Sequence, residues 1–126
     1  LVEIVGLDRL ENIGGHFDVH DNPELERIQS FDSLTEIVGR LFIMENPKLS
    51  DLSGLSNLSS IGSYFYIGDN ASLANLDAFE SLTFVGYYLQ VYRNDSLTDV
   101  SGLSNIGGPV HWGFLMFNYN ELLCNS

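Results

Sequence analysis

The sequence predicts an all-β solenoid, a stack of about five 24-residue coils with one parallel strand per coil. Three observations predict it. Asn22, Asn46, Asn70, Asn94 and Asn118 stand 24 positions apart. Apolar columns keep the same spacing: Leu7, Phe31, Leu55, Phe79 and Leu103 form one, and Leu10, Leu34, Leu58, Leu82 and Ile106 another. Within each repeat an alternating apolar stretch gives way to one in which every third residue is apolar. A fixed period of this length marks a stacked-coil protein, in which each coil buries its apolar face against its neighbours.

Strands are expected near 16–20, 40–44, 64–68, 88–92 and 112–116. Around Leu41 and Ile43 apolar residues alternate, as in a strand with one buried face. Gly14, Gly39, Gly62 and Gly86 stand just before four of these strands, where the expectation is a corner of positive φ. Each strand is followed by the asparagine column and then by Pro23, Pro47 or Ala71, which turn the chain. From Leu49 the apolar residues recur every third position, through Leu52, Leu55 and Leu58 to Ile61. That spacing suits short extended arcs or 3₁₀-like turns that keep returning one side chain inward. No stretch is long and periodic enough for an α-helix.

A buried asparagine needs its amide satisfied. Stacked at one corner of successive coils, its oxygen and NH₂ can bond the turn backbone above and below. The expectation is therefore an asparagine ladder through Asn22, Asn46, Asn70, Asn94 and Asn118. After Gly107 and Gly108 the pattern weakens. Pro109 takes the place of an Ile, Gly113 that of an inward Leu or Phe, and Leu122 stands where Leu is expected at 121. Either the terminal coil is irregular from about 107, or the register slips there by a residue or two.

Residues 1–126 are read as one domain, a piece of a longer protein, because the chain opens mid-repeat. Lys and Arg number 5 against 17 Asp and Glu, a formal charge of −12. So acidic a surface repels phosphate backbones, which excludes nucleic acid as a partner. No apolar run approaches the roughly 18 residues of a membrane span. The single cysteine, Cys124, is either an idle thiol or half of a disulfide to a residue outside this sequence.

The string Ile37-Val38-Gly39-Arg40-Leu41-Phe42-Ile43-Met44-Glu45-Asn46-Pro47-Lys48-Leu49 resembles the receptor L domain, the leucine-rich-repeat-like right-handed parallel β-helix of growth-factor receptor ectodomains. The pattern is also similar to fungal cell-wall proteins. It is most similar to repeat arrays of secreted bacterial surface proteins, through Gly54-Leu55, Leu58, Ile61-Gly62, Asn70 and Leu73. The shared residues are core and corner positions. The resemblance implies a right-handed coil stack and an extracellular or cell-surface, non-catalytic binding or adhesion module.

The outward strand positions supply the candidate site. Translation by 24 gives three columns: His16, Arg40, Tyr64, Tyr88 and Trp112; Asp18, Phe42, Tyr66, Gln90 and Phe114; His20, Met44, Gly68, Tyr92 and Met116. Seven of these fifteen positions are aromatic, where solvent-facing strands ordinarily carry small polar or charged residues. The candidate contact residues are Arg40, Phe42, Tyr64, Tyr66, Tyr88, Gln90, Tyr92, Trp112 and Phe114. Such a face suits a protein partner with aromatic anchors, or a carbohydrate stacked on the rings. The competing readings are aromatic packing between coils in a structural spacer, and self-association. His16, Asp18 and His20 alternate as zinc ligands would, but Arg40 beside them disfavours a cation. No metal, cofactor or catalytic set is expected. Glu3, Asp51 and Asp99 share a column with Arg27 and Asn75, which reads as a solvated corner. The sequons at Asn57, Asn70 and Asn94 follow from repeat composition, and only Asn57 lies outside the asparagine column.

Overall fold

A computed structural model describes residues 1–107, 115–118, 120 and 122. Its strands are β1 (Glu3–Ile4), β2 (Asn12–Ile13), β3 (Phe17–His20), β4 (Arg27–Ile28), β5 (Glu36–Ile37), β6 (Leu41–Met44), β7 (Ser60–Ile61), β8 (Phe65–Gly68), β9 (Phe84–Val85), β10 (Leu89–Tyr92) and β11 (Leu115–Asn118). They stack into parallel sheets along the solenoid. The main sheet runs β3-β6-β8-β10-β11, a second runs β2-β5-β7-β9, and a third pairs β1 with β4. Five strands in the main sheet bound four complete coils, a small difference from the five coils expected.

From β3 to β10 the pairing holds the 24-residue translation: Phe17 lies beside Leu41, Leu41 beside Phe65, and Phe65 beside Leu89. The next step is 26 residues. Leu89 pairs with Leu115, and Tyr92 with Asn118. The register therefore slips by two between β10 and β11, and the last strand begins at Leu115 instead of near 112. This is the slip that the irregular spacing after Gly107 anticipated as one of two alternatives.

The apolar columns fill the interior. Leu34, Ile37, Leu41 and Ile43 of one coil are fully buried, as are Leu58, Ile61, Phe65 and Ile67 of the next. The large rings interlock inside, with Phe65 and Phe79 centroids 4.7 Å apart. Burial of such side chains is the main stabilising contribution, about 1.5–3 kcal/mol each.

Asn46, Asn70 and Asn94 at the corner are equally buried, and Asn22 at the end of the file is half-buried. The Asn22 backbone N–H donates to Asn46 Oδ1, Asn46 N–H to Asn70 Oδ1, and Asn70 N–H to Asn94 Oδ1, each at 3.2 Å. Each amide also reaches back to the strand of the coil before: Asn46 Nδ2 donates to Val19 C=O at 3.1 Å and Asn70 Nδ2 to Ile43 C=O at 3.0 Å. The file ends differently from the expectation. Asn94 N–H donates to Asn120 Oδ1, and Asn118 is a strand residue in register with Tyr92. The two-residue slip moves the corner from 118 to 120.

The glycines before the strands do not supply the corner. The only glycine of positive φ among the described residues is Gly6. The left-handed corner falls after the strand, at Asp21, Glu45, Asp69 and Arg93, with φ of 58°, 56°, 52° and 49°. These residues immediately precede the asparagines. Gly62 and Gly86 serve close approach instead. A Cβ at Gly62 would collide with the Val38 carbonyl, and one at Gly86 with the Gly62 carbonyl.

The every-third-residue stretch becomes 3₁₀ helix at Ser53–Leu55, Asp77–Phe79 and Ser101–Leu103. Each is led by a side-chain acceptor. Asp51 Oδ1 accepts the Ser53 N–H at 2.8 Å, Asn75 Oδ1 the Asp77 N–H at 3.1 Å, and Asp99 Oδ1 the Ser101 N–H at 2.8 Å. Asp and Asn side chains favour such local turns. At the equivalent position of the second coil Arg27 offers no acceptor. There the chain takes no 3₁₀ turn, and Ser30 goes to φ 64°.

Candidate functional site: the outward face of the main sheet

Strand pleating sends Phe42, Met44, Tyr66, Gln90 and Tyr92 outward while Leu41, Ile43, Phe65, Ile67, Leu89 and Val91 are buried. The side chains standing on this face are organised along the solenoid. Phe42 stacks on Tyr66 with centroids 5.4 Å apart and planes at 27°. Tyr64 stacks on Tyr88 at 5.3 Å and 26°. Each stacked pair joins neighbouring coils in register, as the 24-residue translation requires.

The N-terminal end of the face is polar. Arg40 donates through Nε to Asp18 Oδ1 at 2.9 Å and through its terminal nitrogen to Asp18 Oδ2 at 2.6 Å. These two bonds, more than the charge alone, hold the Asp18 carboxyl below the usual carboxylate range. The guanidinium also lies 5.2 Å from the Phe42 ring centroid, a cation–π distance. His16 Nδ1 accepts the Arg40 backbone N–H at 3.1 Å, and His20 contacts Asp21 at 2.7 Å. No group of three metal-ligating side chains occurs among the described residues.

The other end is tyrosine-rich. Tyr64, Tyr87 and Tyr88 cluster with centroids 5.3–6.0 Å apart and expose 42%, 51% and 36% of their surfaces. Tyr66 is more enclosed; burial, with Asp69 and Tyr92 nearby, pushes its phenol up from the ordinary value. Gly68 leaves a vacancy in the third column. Met44 Sδ and the Tyr66 ring close it, so that a Cβ there would meet the sulfur at 2.6 Å. Arg93 lies 5.7 Å from the Tyr92 ring centroid and pairs with Asp69 at 3.3 Å.

Residues 9–126 match the family described as Receptor L domain. This chain belongs to the receptor L domain family. Comparisons with curated proteins and with solved structures return no match. A receptor L domain is a ligand-binding module of receptor type, and in receptors the family is typically extracellular. No helix among the described residues of this L domain is long and apolar enough to cross a membrane.

The structure brings Arg40, Phe42, Tyr64, Tyr66, Tyr88, Gln90 and Tyr92 together on one face of the L domain, all at exposed or half-buried positions. Trp112 and Phe114 lie outside the described residues. Met116, expected beside Tyr92, is the register partner of Gln90. Tyr87 was missed by the sequence reading. It precedes the strand, so strict alternation left it out, yet it is the most exposed ring of the cluster. Its neighbour in sequence, Tyr88, was the available signal: a second tyrosine at the corner that opens a strand.

Proposed function

We propose that this L domain is a non-catalytic, extracellular or cell-surface binding module that recognises a protein partner through the aromatic face of its main sheet. The observation that carries the reading is the exposed Tyr64, Tyr87 and Tyr88 cluster. Tyrosine offers a large rigid contact area with a polar tip, the chemistry enriched at protein interfaces. Ring stacking favours a protein over a glycan on this face. A sugar ring needs an open aromatic face, whereas Tyr64 stacks against Tyr88 and Phe42 against Tyr66, each pair covering one face of both rings.

The same stacking favours a second reading, a rigid spacer in which the rings only tie coil to coil. The double variant Tyr64→Ser with Tyr88→Ser separates the two. A partner is selected from an array of extracellular proteins, and its affinity and the melting temperature are measured together. A binding module loses about tenfold or more in affinity while the melting temperature holds. Unchanged affinity, or a fall in melting temperature large enough to account for the loss, rejects the binding face.

A further inference from the structure

Away from the main sheet, on the arc that carries Asp51 and Asn75, the coils are not joined evenly. Arg27 bridges to Asp51, and Asn75 to Asp99. Ser50 N–H donates to Glu26 C=O, and Thr98 N–H to Ala74 C=O, both at 3.0 Å. The 24-residue translation requires a third bond, from Ala74 N–H to Ser50 C=O. Among the described residues that bond is absent, and no bridge joins Asp51 to Asn75. A cleft of about 220 Å³ opens at this break, lined by Ser50, Asp51, Ser53, Leu73, Asn75 and Asp77. Leu52, Leu73 and the half-buried Ala78 supply its apolar lining.

Asp51 is engaged within its own arc: Oδ1 accepts the Ser53 N–H and Oδ2 accepts Gln29 Nε2, each at 2.8 Å. Asn75 Oδ1 accepts the Asp77 N–H at 3.1 Å. The Asn75 NH₂ remains as a donor and the Asp77 carboxylate and the Ser50 C=O as acceptors, with the Ala74 N–H just beside the lining. No group of three metal-ligating side chains occurs among the described residues, and the Asn75 and Ala74 N–H groups oppose a cation. A lysine or arginine tip could pair with Asp77 but would set its own donors against those of Asn75 and Ala74.

Adjacent hydroxyls on a ring both donate and accept, and the ring's C–H side suits an aliphatic floor. The volume lies below the roughly 300 Å³ of a drug-sized pocket, which limits the occupant to about one ring. We infer that this cleft is a subsite for a single sugar ring or a comparable vicinal polyol, separate from the aromatic face.

The test is amide-resolved NMR titration of the ¹⁵N-labelled chain with a panel of free hexoses and N-acetylhexosamines. At least one sugar gives saturable shifts at Ser50, Ser53, Ala74 and Asn75, with a dissociation constant in about the millimolar range expected of a single ring. Asp77→Ala weakens that binding about tenfold, the loss of one charge-assisted hydrogen bond. Asn75→Asp, which keeps the acceptor for the Asp77 N–H but removes the donor, weakens it similarly and serves as a second variant if the first perturbs the fold. Tyr64→Ser leaves it unchanged. No saturable shift with any sugar, shifts confined to the aromatic face, or binding that survives both cleft variants overturns the inference. Loss of the cleft signal alone leaves protein recognition by the tyrosine cluster untouched, whereas sugar shifts confined to the aromatic face would count against the choice of a protein over a glycan there.

Discussion

Asn94 donates its backbone N–H to Asn120 Oδ1 at 2.9 Å, across 26 residues where each preceding bond of the file spans 24. Asn120 is fully buried, and its own Nδ2 donates to the Val91 carbonyl at 3.2 Å. Asn120→Ala therefore strands a buried N–H and a strand carbonyl, at a cost of about 1–3 kcal/mol. Asn118→Ala leaves both bonds in place and shifts stability by less. Chemical denaturation of the two variants checks the assignment. Equal effects, or a larger one at 118, would return the corner to the 24-residue position.

Within the file the middle rungs should matter at least as much. Asn70 is fully buried, accepts the Asn46 N–H and donates to Ile43 C=O. Asn70→Leu replaces it with a side chain that fits the apolar interior but satisfies neither backbone group. The expected loss is about 1–3 kcal/mol, read as a lower denaturation midpoint with an unchanged slope. A midpoint within error of the parent would mean that water serves these groups equally well.

The architecture was legible because translation by 24 is written into the side chains themselves. Buried Leu, Ile and Phe at fixed columns admit one register, since a one-residue slip would turn Ile43 and Ile67 to solvent. Where the columns fail, after Gly107, no side-chain pattern distinguished a shift of two from a deformed coil; backbone pairing at Leu115 decided it. Glycine misled for a different reason. Its lack of a Cβ serves left-handed φ and close packing alike, and Gly62 uses the second while Asp69 and Glu45 tolerate the first. Alternation found Tyr64, Tyr66 and Tyr88 but not Tyr87, because a corner residue obeys no period.

Gly62 provides a direct test of the packing role. Its backbone lies against the Val38 carbonyl, and Gly86 lies in turn against the Gly62 carbonyl. Gly62→Ala puts a methyl into backbone that cannot rotate away, so the coils must separate locally. A loss of about 1–3 kcal/mol is expected. Gly14→Ala, in the same column but with open space beside it, should change little. Thermal unfolding of the pair distinguishes a crowding effect from a general intolerance of side chains at this corner.

Asp51 ties the third arc to the charge state of the chain. Its burial opposes ionisation, but hydrogen bonds from Ser53 and Gln29 and the nearby Arg27 outweigh it and hold the carboxyl below its ordinary 3.8. A depressed folded value gives a contribution that is fully present above the ordinary value and is lost as pH falls through the folded one. Asp51→Ala should cost about 0.5–2 kcal/mol at neutral pH, the range for loss of a capping acceptor. The difference from the parent should shrink as pH drops below about 3.8. A difference independent of pH would assign the effect to packing instead of the ionised carboxylate.

Glu45 acts in the opposite sense. It stands at the left-handed corner beside Asp21 and Asp69, one coil away on either side. The carboxyl contact with Asp21, followed by the charges of Asp21 and Asp69, raises its folded value above 4.5. A hydrogen bond from His20, ahead of the contact with Glu45, holds the Asp21 carboxyl below its ordinary value. A raised folded value gives stability that is full below the ordinary value and is lost as pH rises through the folded one. Ionised Glu45 is therefore destabilising at neutral pH, and Glu45→Gln should raise the melting temperature there. The advantage should vanish as acidification protonates the parent's own Glu45, near and below pH 4.5. Raising salt at pH 7 should narrow it too, because these carboxylates face solvent. A glutamine variant that melts below the parent at pH 7 would show that the Asp21 contact is worth more than the repulsion it carries.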